Sequence, residues 1–368
     1  MKIGLIKEIK KHEYRVGLTP MSAKEYIQSG HTVLVESQAG IGSGFSDEDY
    51  SRAGCQIELS KKAIFDQSEM IIKVKEPLPE EFELFQEGQI LYTYLHLAAD
   101  RPQAEALLRK KVSAIAYETV VESDRSLPLL VPMSQIAGRL AIQEGAKYLE
   151  KPMGGRGVLL GGVPGIRKGK VLILGGGISG LNACQMAVGL NADVTIVDIS
   201  SKRLAELDSM FGGRVKTLYS NFYNIETELV DADLVIGAVL IPGAATPKLI
   251  KKEHLTKMKP GSVIVDVAVD QGGCCETTRA TYHDQPTYVV DGVIHYCVAN
   301  MPGAVSLSST FALTSVTNRY GLQIANQGLE AALKNSQPLR EGLNCYQGRL
   351  MNQAVAEAID IPFEPYLN

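Results

Sequence analysis

No cluster of lysine or arginine stands out in the 368-residue chain: 37 basic residues face 41 acidic ones, giving a formal net charge of −4. Nucleic-acid binding rests on concentrated positive charge, so this balance argues against such a partner. The small basic patch from Lys7 to Lys11 reads as a solvated strand end. Cysteine is scarce, with six residues at 55, 184, 274, 275, 297 and 345. None forms a C-x-x-C pair or a Cys/His spacing suited to zinc, so no metal site is expected. Cys184 and Cys297 read as small core residues, and Cys274-Cys275 as two free thiols, which fits a reducing cytoplasm. A signal peptide is not expected, because Lys2, Lys7 and Glu8 interrupt any apolar core at the N-terminus. Two uncharged runs raise a membrane question, Val171 to Ala192 and Val293 to Asn318. The first carries five glycines plus Asn182, Gln185 and Asn191, and the second carries Asn300 and Pro302. Both read as buried strand, turn and helix, not as a bilayer span.

What is present is ordinary soluble-protein material, 45% hydrophobic and 21% charged, in a chain long enough for two cores. The 35 glycines suit a fold with many strand-to-helix turns. Strands are expected at 3–6, 33–36, 70–75, 89–95 and 112–117. Between them lie a helix that Thr19 and Pro20 start, another that Ser46 caps, and helices at 79–85 and 101–110. This alternation implies a parallel sheet with crossover helices. A long helix at 133–149 reads as the bridge to a second alternating half, with later strands at 215–219, 234–239 and 263–268. Helices near 308–334 and 348–359 read as returning to the first half. The expected fold is therefore α/β: two Rossmann-like domains with parallel sheets separated by a cleft and joined by long helices. Residues 1–130 plus 306–368 form one domain and residues 131–305 the other.

The chain is organised around Lys170-Val-Leu-Ile-Leu-Gly-Gly-Gly-Ile-Ser-Gly-Leu-Asn-Ala183. A short buried strand is followed by glycines at 175, 177 and 180 and then by a helix. Gly175 permits the tight turn, Gly177 lets backbone approach a pyrophosphate, and Gly180 lets the helix pack on the sheet. Phosphates would rest on the N–H groups of Gly177, Ile178 and Ser179 at the positive helix end. The next strand, Asp193-Val-Thr-Ile-Val197, ends in Asp198, 18 residues beyond Gly180, where a carboxylate suits the ribose diol. Lys202 and Arg203 also read as a grip for a 2′-phosphate. Against that, two like charges about 4 Å apart at an effective dielectric of about 20 repel by roughly 4 kcal/mol. NAD is therefore expected, not NADP.

Ligands in open α/β sheets bind beyond the carboxyl ends of the strands. Four titratable residues fall there: Arg15, Lys75, His96 and Asp270. An arginine fork with a lysine suits a carboxylate, and an imidazole suits proton transfer near neutral pH. Each has a plainer reading. A single cation at a strand end is usually solvated. His96 competes with His12, His31, His254, His283 and His295, and Asp270 competes with Asp266.

At these positions the sequence resembles the alanine dehydrogenase / pyridine nucleotide transhydrogenase family. The similar stretches run almost end to end: Lys7-Glu8, Arg15-Val-Gly-Leu-Thr-Pro20, Lys73-Val-Lys-Glu-Pro77, Tyr94-Leu-His-Leu-Ala98 and Met133-Ser-Gln-Ile-Ala-Gly138. Later come Val269-Asp-Gln-Gly-Gly-Cys274 and His295-Tyr-Cys-Val-Ala-Asn-Met-Pro-Gly-Ala304. The resemblance implies that Arg15 and Lys75 hold a substrate carboxylate and that His96 and Asp270 are catalytic. It further implies NAD contacts from Ser134, Asp198, Arg203 and Ser220. Val239, Leu240, Val267, Val298, Asn300 and Met301 would complete the cofactor site. The implied reaction is NAD-dependent oxidative deamination of L-alanine to pyruvate and ammonium, and its reverse, through iminopyruvate. A cytoplasmic homo-hexamer is implied as well. Val305-Ser-Leu-Ser308 departs from the family's pattern, where a more basic or proline-containing run is expected. Three alternatives stay open: a soluble cofactor-binding subunit of a transhydrogenase, a saccharopine-type dehydrogenase, and a non-catalytic NAD sensor.

Overall fold

The computed structural model describes residues 1–239 and 246–366, so Leu240 of the expected cofactor contacts lies outside the described residues. The chain forms two compact units, Met1–Met133 with Gly303–Asn368, and Ser134–Pro302. Both are α/β, and no helix among the described residues is long and apolar enough to cross a membrane.

In the first unit six parallel strands form first: Lys2–Leu5, Thr32–Glu36, Gln56–Glu58, Met70–Ile72, Ile90–Thr93 and Ser113–Ala116. Numbered in chain order, they lie 3-2-1-4-5-6 across the sheet. Strands 4 to 6 are buried on both faces, as their mostly apolar sequences suit. Crossovers between them are helical. The helix Pro20–Gln28 starts as expected, with the Thr19 side chain accepting from the Ser22 N–H. Asp47–Arg52 begins with a capping box from Ser46 and Asp49. One core of this unit gathers Ile6, Phe65, Phe85, Leu91, Leu107 and Leu350.

The second unit repeats the plan with Lys170–Leu174, Asp193–Asp198, Val215–Tyr219, Leu234–Gly237, Val263–Asp266 and Val293–Tyr296. These strands are again parallel and again lie 3-2-1-4-5-6. In each sheet, strands 1 and 4 are neighbours whose crossovers leave in opposite directions. Their carboxyl ends are the switch point where this fold binds ligands. A core of Leu172, Leu174, Val197, Leu229, Ile250 and Ile264 lies beneath.

Several elements depart from the expectation. Each sheet gains an antiparallel hairpin at its edge: Thr287–Val290 with Val293–Tyr296, and Leu343–Tyr346 with Arg349–Leu350. Both turns are two residues long with positive φ throughout, Asp291 47° and Gly292 80°, Gln347 49° and Gly348 78°. That pattern matches the twist of the flanking strands. The span expected to be helical from 348 therefore begins with a strand, and its helix is Gln353–Ile359. The span 308–334 divides into Ser306–Gln327 and Leu329–Asn335 at Gly328, where φ is 78°. The strand Gln56–Glu58 and the helix Lys61–Gln67 are additions. The bridging helix runs Val131–Tyr148, and the break between the two units falls in its first turn.

Candidate active site

At the second unit's switch point the three glycines are demanded for different reasons. Gly175 has φ of +95°, closed to most side chains, and a Cβ there would meet the Ala238 carbonyl at 2.9 Å. At Gly180 a Cβ would fall 1.8 Å from the Gly175 carbonyl oxygen, so the helix can rest on the turn only without one. A Cβ at Gly177 meets nothing within 4 Å. The space above that backbone is open. The helix Ile178–Gly189 has no side-chain cap, and its first intrahelical bond runs from the Leu181 N–H to the Gly177 carbonyl. The amides of Ile178, Ser179 and Gly180 therefore precede any partner within the helix, at its positive end. An open approach over uncapped amides fits a pyrophosphate.

Asp198 and Arg203 grip the two consecutive peptide groups that flank the Gly176 Cα. The Gly176 N–H donates to Asp198 Oδ2 at 2.7 Å, and Arg203 Nε donates to the Gly176 carbonyl at 2.6 Å. Asp198 Oδ1 accepts from the Ser200 N–H at 2.8 Å, its carbonyl accepts from the Ser220 N–H at 2.9 Å, and Arg203 Nη1 pairs with Glu206 at 2.8 Å. Ser134 is tied to the same turn through its carbonyl, which accepts from Ser179 Oγ at 3.0 Å. Ile178 is 42% exposed and Ile199, next to Asp198, 73% exposed, so apolar surface is presented at this turn. Val239 packs against the core and the Val267 N–H donates to the Gly237 carbonyl at 2.9 Å. Val298 and Met301 are buried, and the Asn300 carbonyl accepts from His283 Nε2 at 2.9 Å.

Asp270 is exposed on the short turn Val269–Gln271 of this unit. The loop that follows is fastened by Lys248 Nζ, which donates to the carbonyls of Gly273 at 2.9 Å and Cys275 at 3.2 Å. Its rival Asp266 is fully buried and accepts from the Cys274 N–H at 2.9 Å and the Thr278 hydroxyl at 2.6 Å. Asp266 is structural.

The first unit's switch point brings together Arg15, Lys75 and His96. Arg15 is buried, but its fork already holds a carboxylate of the chain. Nε donates to Glu13 Oε1 at 2.8 Å and Nη2 to Glu13 Oε2 at 2.6 Å, while Nη1 reaches Met133 Sδ at 3.0 Å. This contact with Glu13 keeps Arg15 firmly cationic despite burial. Glu8 supports the next strand, accepting from the N–H groups of Val74 at 2.7 Å and Lys75 at 3.2 Å. It belongs to a buried ion network in which Lys73, wholly inaccessible, bridges Glu8 at 3.2 Å and Glu81 at 3.1 Å. Burial raises the Glu8 pKa, and Lys73 opposes the shift.

Lys75 Nζ lies 3.3 Å from His96 Nε2, and the imidazole stacks on Tyr94 with centroids 6.0 Å apart and an interplanar angle of 18°. Part of the ring surface stays open to solvent, yet dense surroundings and Lys75 push the His96 pKa below its ordinary 6.5. Glu118 and Glu76 pull it the other way. A neutral imidazole whose Nε2 accepts from the Lys75 ammonium accounts for both observations. Glu76, paired with Lys10, is held below the usual carboxylate range by Lys75 and His96 against the upward pull of burial.

The competing histidines have plainer duties. His254 Nδ1 accepts from the Lys251 N–H at 3.1 Å, and His295 sits between the Thr277 hydroxyl at 2.8 Å and the Val293 carbonyl at 3.0 Å. His31 reaches the chain's N-terminus at 3.2 Å and Asn326 at 2.8 Å, and His12 reaches the Tyr14 hydroxyl at 3.0 Å. Carboxylates are what the sequence reading misses: Glu8, Glu13, Glu76 and Glu118 all surround the three site residues. Glu118 directly follows the strand Ser113–Ala116 and its Tyr117, so the strand-end rule that selects His96 also selects it.

A doubly repeated 3-2-1-4-5-6 sheet, with a glycine turn fit for pyrophosphate in one half and a cation–imidazole group in the other, defines a two-unit dinucleotide-binding protein. Comparison with known proteins narrows this. Residues 4–137 match the alanine dehydrogenase/PNT N-terminal domain and residues 141–353 its C-terminal domain. An alanine dehydrogenase of Methanococcus maripaludis is 56% identical over 366 residues, covering 99% of this chain and 98% of the relative. A solved L-alanine dehydrogenase superposes with a TM-score of 0.95 at 55% identity, over 98% of this chain and 99% of the other. A transhydrogenase from Sinorhizobium meliloti shares the fold, with a TM-score of 0.83 at 23% identity over 96% and 100% of the two chains. The chain belongs to the alanine dehydrogenase/PNT family.

Proposed function

We propose that the protein is an NAD-dependent L-alanine dehydrogenase, interconverting L-alanine with pyruvate and ammonium. The observation that carries this is the Lys75–His96 contact of 3.3 Å at the first unit's switch point, where Arg15 also lies. Cations there suit a carboxylate, and a neutral imidazole suits proton transfer from an amine. The identity of 54–56% to proteins named alanine dehydrogenase, over nearly the whole chain, selects the amino acid.

Cofactor phosphates would rest on the amides of Gly177, Ile178, Ser179 and Gly180, with Asp198 on the ribose. NAD, when bound, supplies the acceptor for the hydride. Arg15, fixed from one side by Glu13, and Lys75 hold the substrate carboxylate. As Lys75 turns to that carboxylate, it frees His96 Nε2 to take a proton from the substrate ammonium. Nitrogen then has the lone pair that forms the imine as hydride leaves Cα. Having passed that proton to solvent, His96 takes one from the water that adds to iminopyruvate and returns it to the nitrogen, and ammonium departs to leave pyruvate. The overall change consumes one alanine, one NAD and one water, and yields pyruvate, ammonium, NADH and one proton. The six free cysteines support a reducing, cytoplasmic setting for this chemistry, and the family resemblance supports a homo-hexamer.

Incubating the protein with L-alanine and NAD and following NADH absorbance tests the reading. Steady NADH formation with stoichiometric pyruvate is expected; no turnover with alanine under any cofactor sinks it. A second expectation concerns the cofactor. Asp198 would face a 2′-phosphate, and Arg203 is engaged by the Gly176 carbonyl and Glu206. The specificity constant for NAD should exceed that for NADP by at least about a hundredfold. Equal constants would contradict the role given to Asp198.

A further inference from the structure

We propose that Glu118 is a positioning residue for His96, its carboxylate fixing the left-handed turn that carries the imidazole. The inference rests on the assignment of His96 as the base. His96 has φ of 51° and ψ of 33°, a conformation that disfavours a residue with a Cβ. Something must hold it there. The Glu118 carboxylate accepts from the His96 N–H at 2.6 Å and from the Leu95 N–H at 3.1 and 3.2 Å. Two consecutive amides converging on one carboxylate define the turn, and the turn defines where the ring can point. Tyr94 then fixes the ring plane by stacking, and its own hydroxyl is anchored on the Leu129 carbonyl at 2.6 Å.

Charge gives Glu118 a second, separable effect. The titratable and charged groups around His96 are Lys75, Lys10, Glu76 and Glu118, with the Tyr94 ring against its face. The two lysines disfavour imidazolium, and the two carboxylates favour it. Removing the charge of Glu118 therefore makes His96 a weaker base, and the acid limb of kcat/KM moves to lower pH. A residue that merely filled space would not move that limb.

The variants Glu118→Gln and Glu118→Ala separate the two effects, because a glutamine carbonyl can accept from both amides without the charge. For E118Q the midpoint of the acid limb for alanine oxidation should fall by at least about half a pH unit. For E118A, kcat should drop about a hundredfold, with NADH affinity unchanged and E118Q retaining much more turnover than E118A. H96A is measured alongside. If E118A turns over within about twofold of the parent and the E118Q limb stays within about 0.2 units, beside an inert H96A, the positioning role is overturned. Should E118A fail to fold, the E118Q limb alone decides. Full turnover by H96A instead overturns the base assignment itself.

Discussion

Replacing His96 with alanine is expected to lower kcat by about two to four orders of magnitude, the range that a positioned general base supplies. NADH affinity should hardly change, because the amides and the Asp198 carboxylate proposed to bind it belong to the other unit. The pH profile of the parent enzyme sharpens this. His96 must be neutral to accept a proton, so kcat/KM falls as the pH drops through its pKa. Crowded surroundings and the Lys75 cation place that pKa below the ordinary 6.5. The acid limb should accordingly lie below that of a solvent-exposed histidine, and H96A should lack it. A variant with near-normal turnover would remove His96 from the chemistry and leave Asp270 as the remaining candidate.

The largest expected effect outside the proposed chemistry comes from Gly180→Ala. A methyl group there falls 1.8 Å from the Gly175 carbonyl, far inside any contact that real Cβ atoms make. The obstruction is backbone, so no side chain can rotate away. Either the helix Ile178–Gly189 lifts from the turn or the turn itself opens. Overpacking of this kind costs about 3 kcal/mol, and a unit of this size then melts roughly 6–12 °C lower. Whichever part moves, the amides of Ile178 and Ser179 lose their aim, so the Kd for NADH should rise at least tenfold. Calorimetry and fluorescence titration measure the two quantities. Parental values for both would mean that the close approach of helix and turn is not needed.

Much of this was legible in the sequence because it is local. The three glycines, the strand before them and Asp198 lie within one short stretch, and each has a steric or electrostatic reason that the spacing alone conveys. Arg15, Lys75 and His96 were reachable by a different route, since strand ends can be read from apolar runs and the fold puts ligands there. The carboxylates were not. Glu8, Glu13 and Glu118 are separated by loops and helices, and an acidic residue in a loop is ordinarily solvated. Only tertiary structure shows that Glu13 grips Arg15 or that Glu118 gathers two amides. The edge hairpins escaped for another reason: their strands are short, and the Asp291-Gly292 turn was not read as a hairpin signal. Gln56–Glu58 is short and only half-covered, so no apolar run marks it.

The hold of Asp198 on the Gly176 N–H and of Arg203 on the Gly176 carbonyl bears on any attempt to re-engineer this protein. Coenzyme preference is commonly altered by removing the acid at the ribose and adding positive charge nearby. Here Asp198 is a structural fastener, and Arg203 is its counterpart on the next peptide group. Exchanging either residue would slacken the loop before it changed selectivity. A successful redesign has to supply a new acceptor for the Gly176 N–H as well as a new cation, and so must begin as a problem in loop architecture.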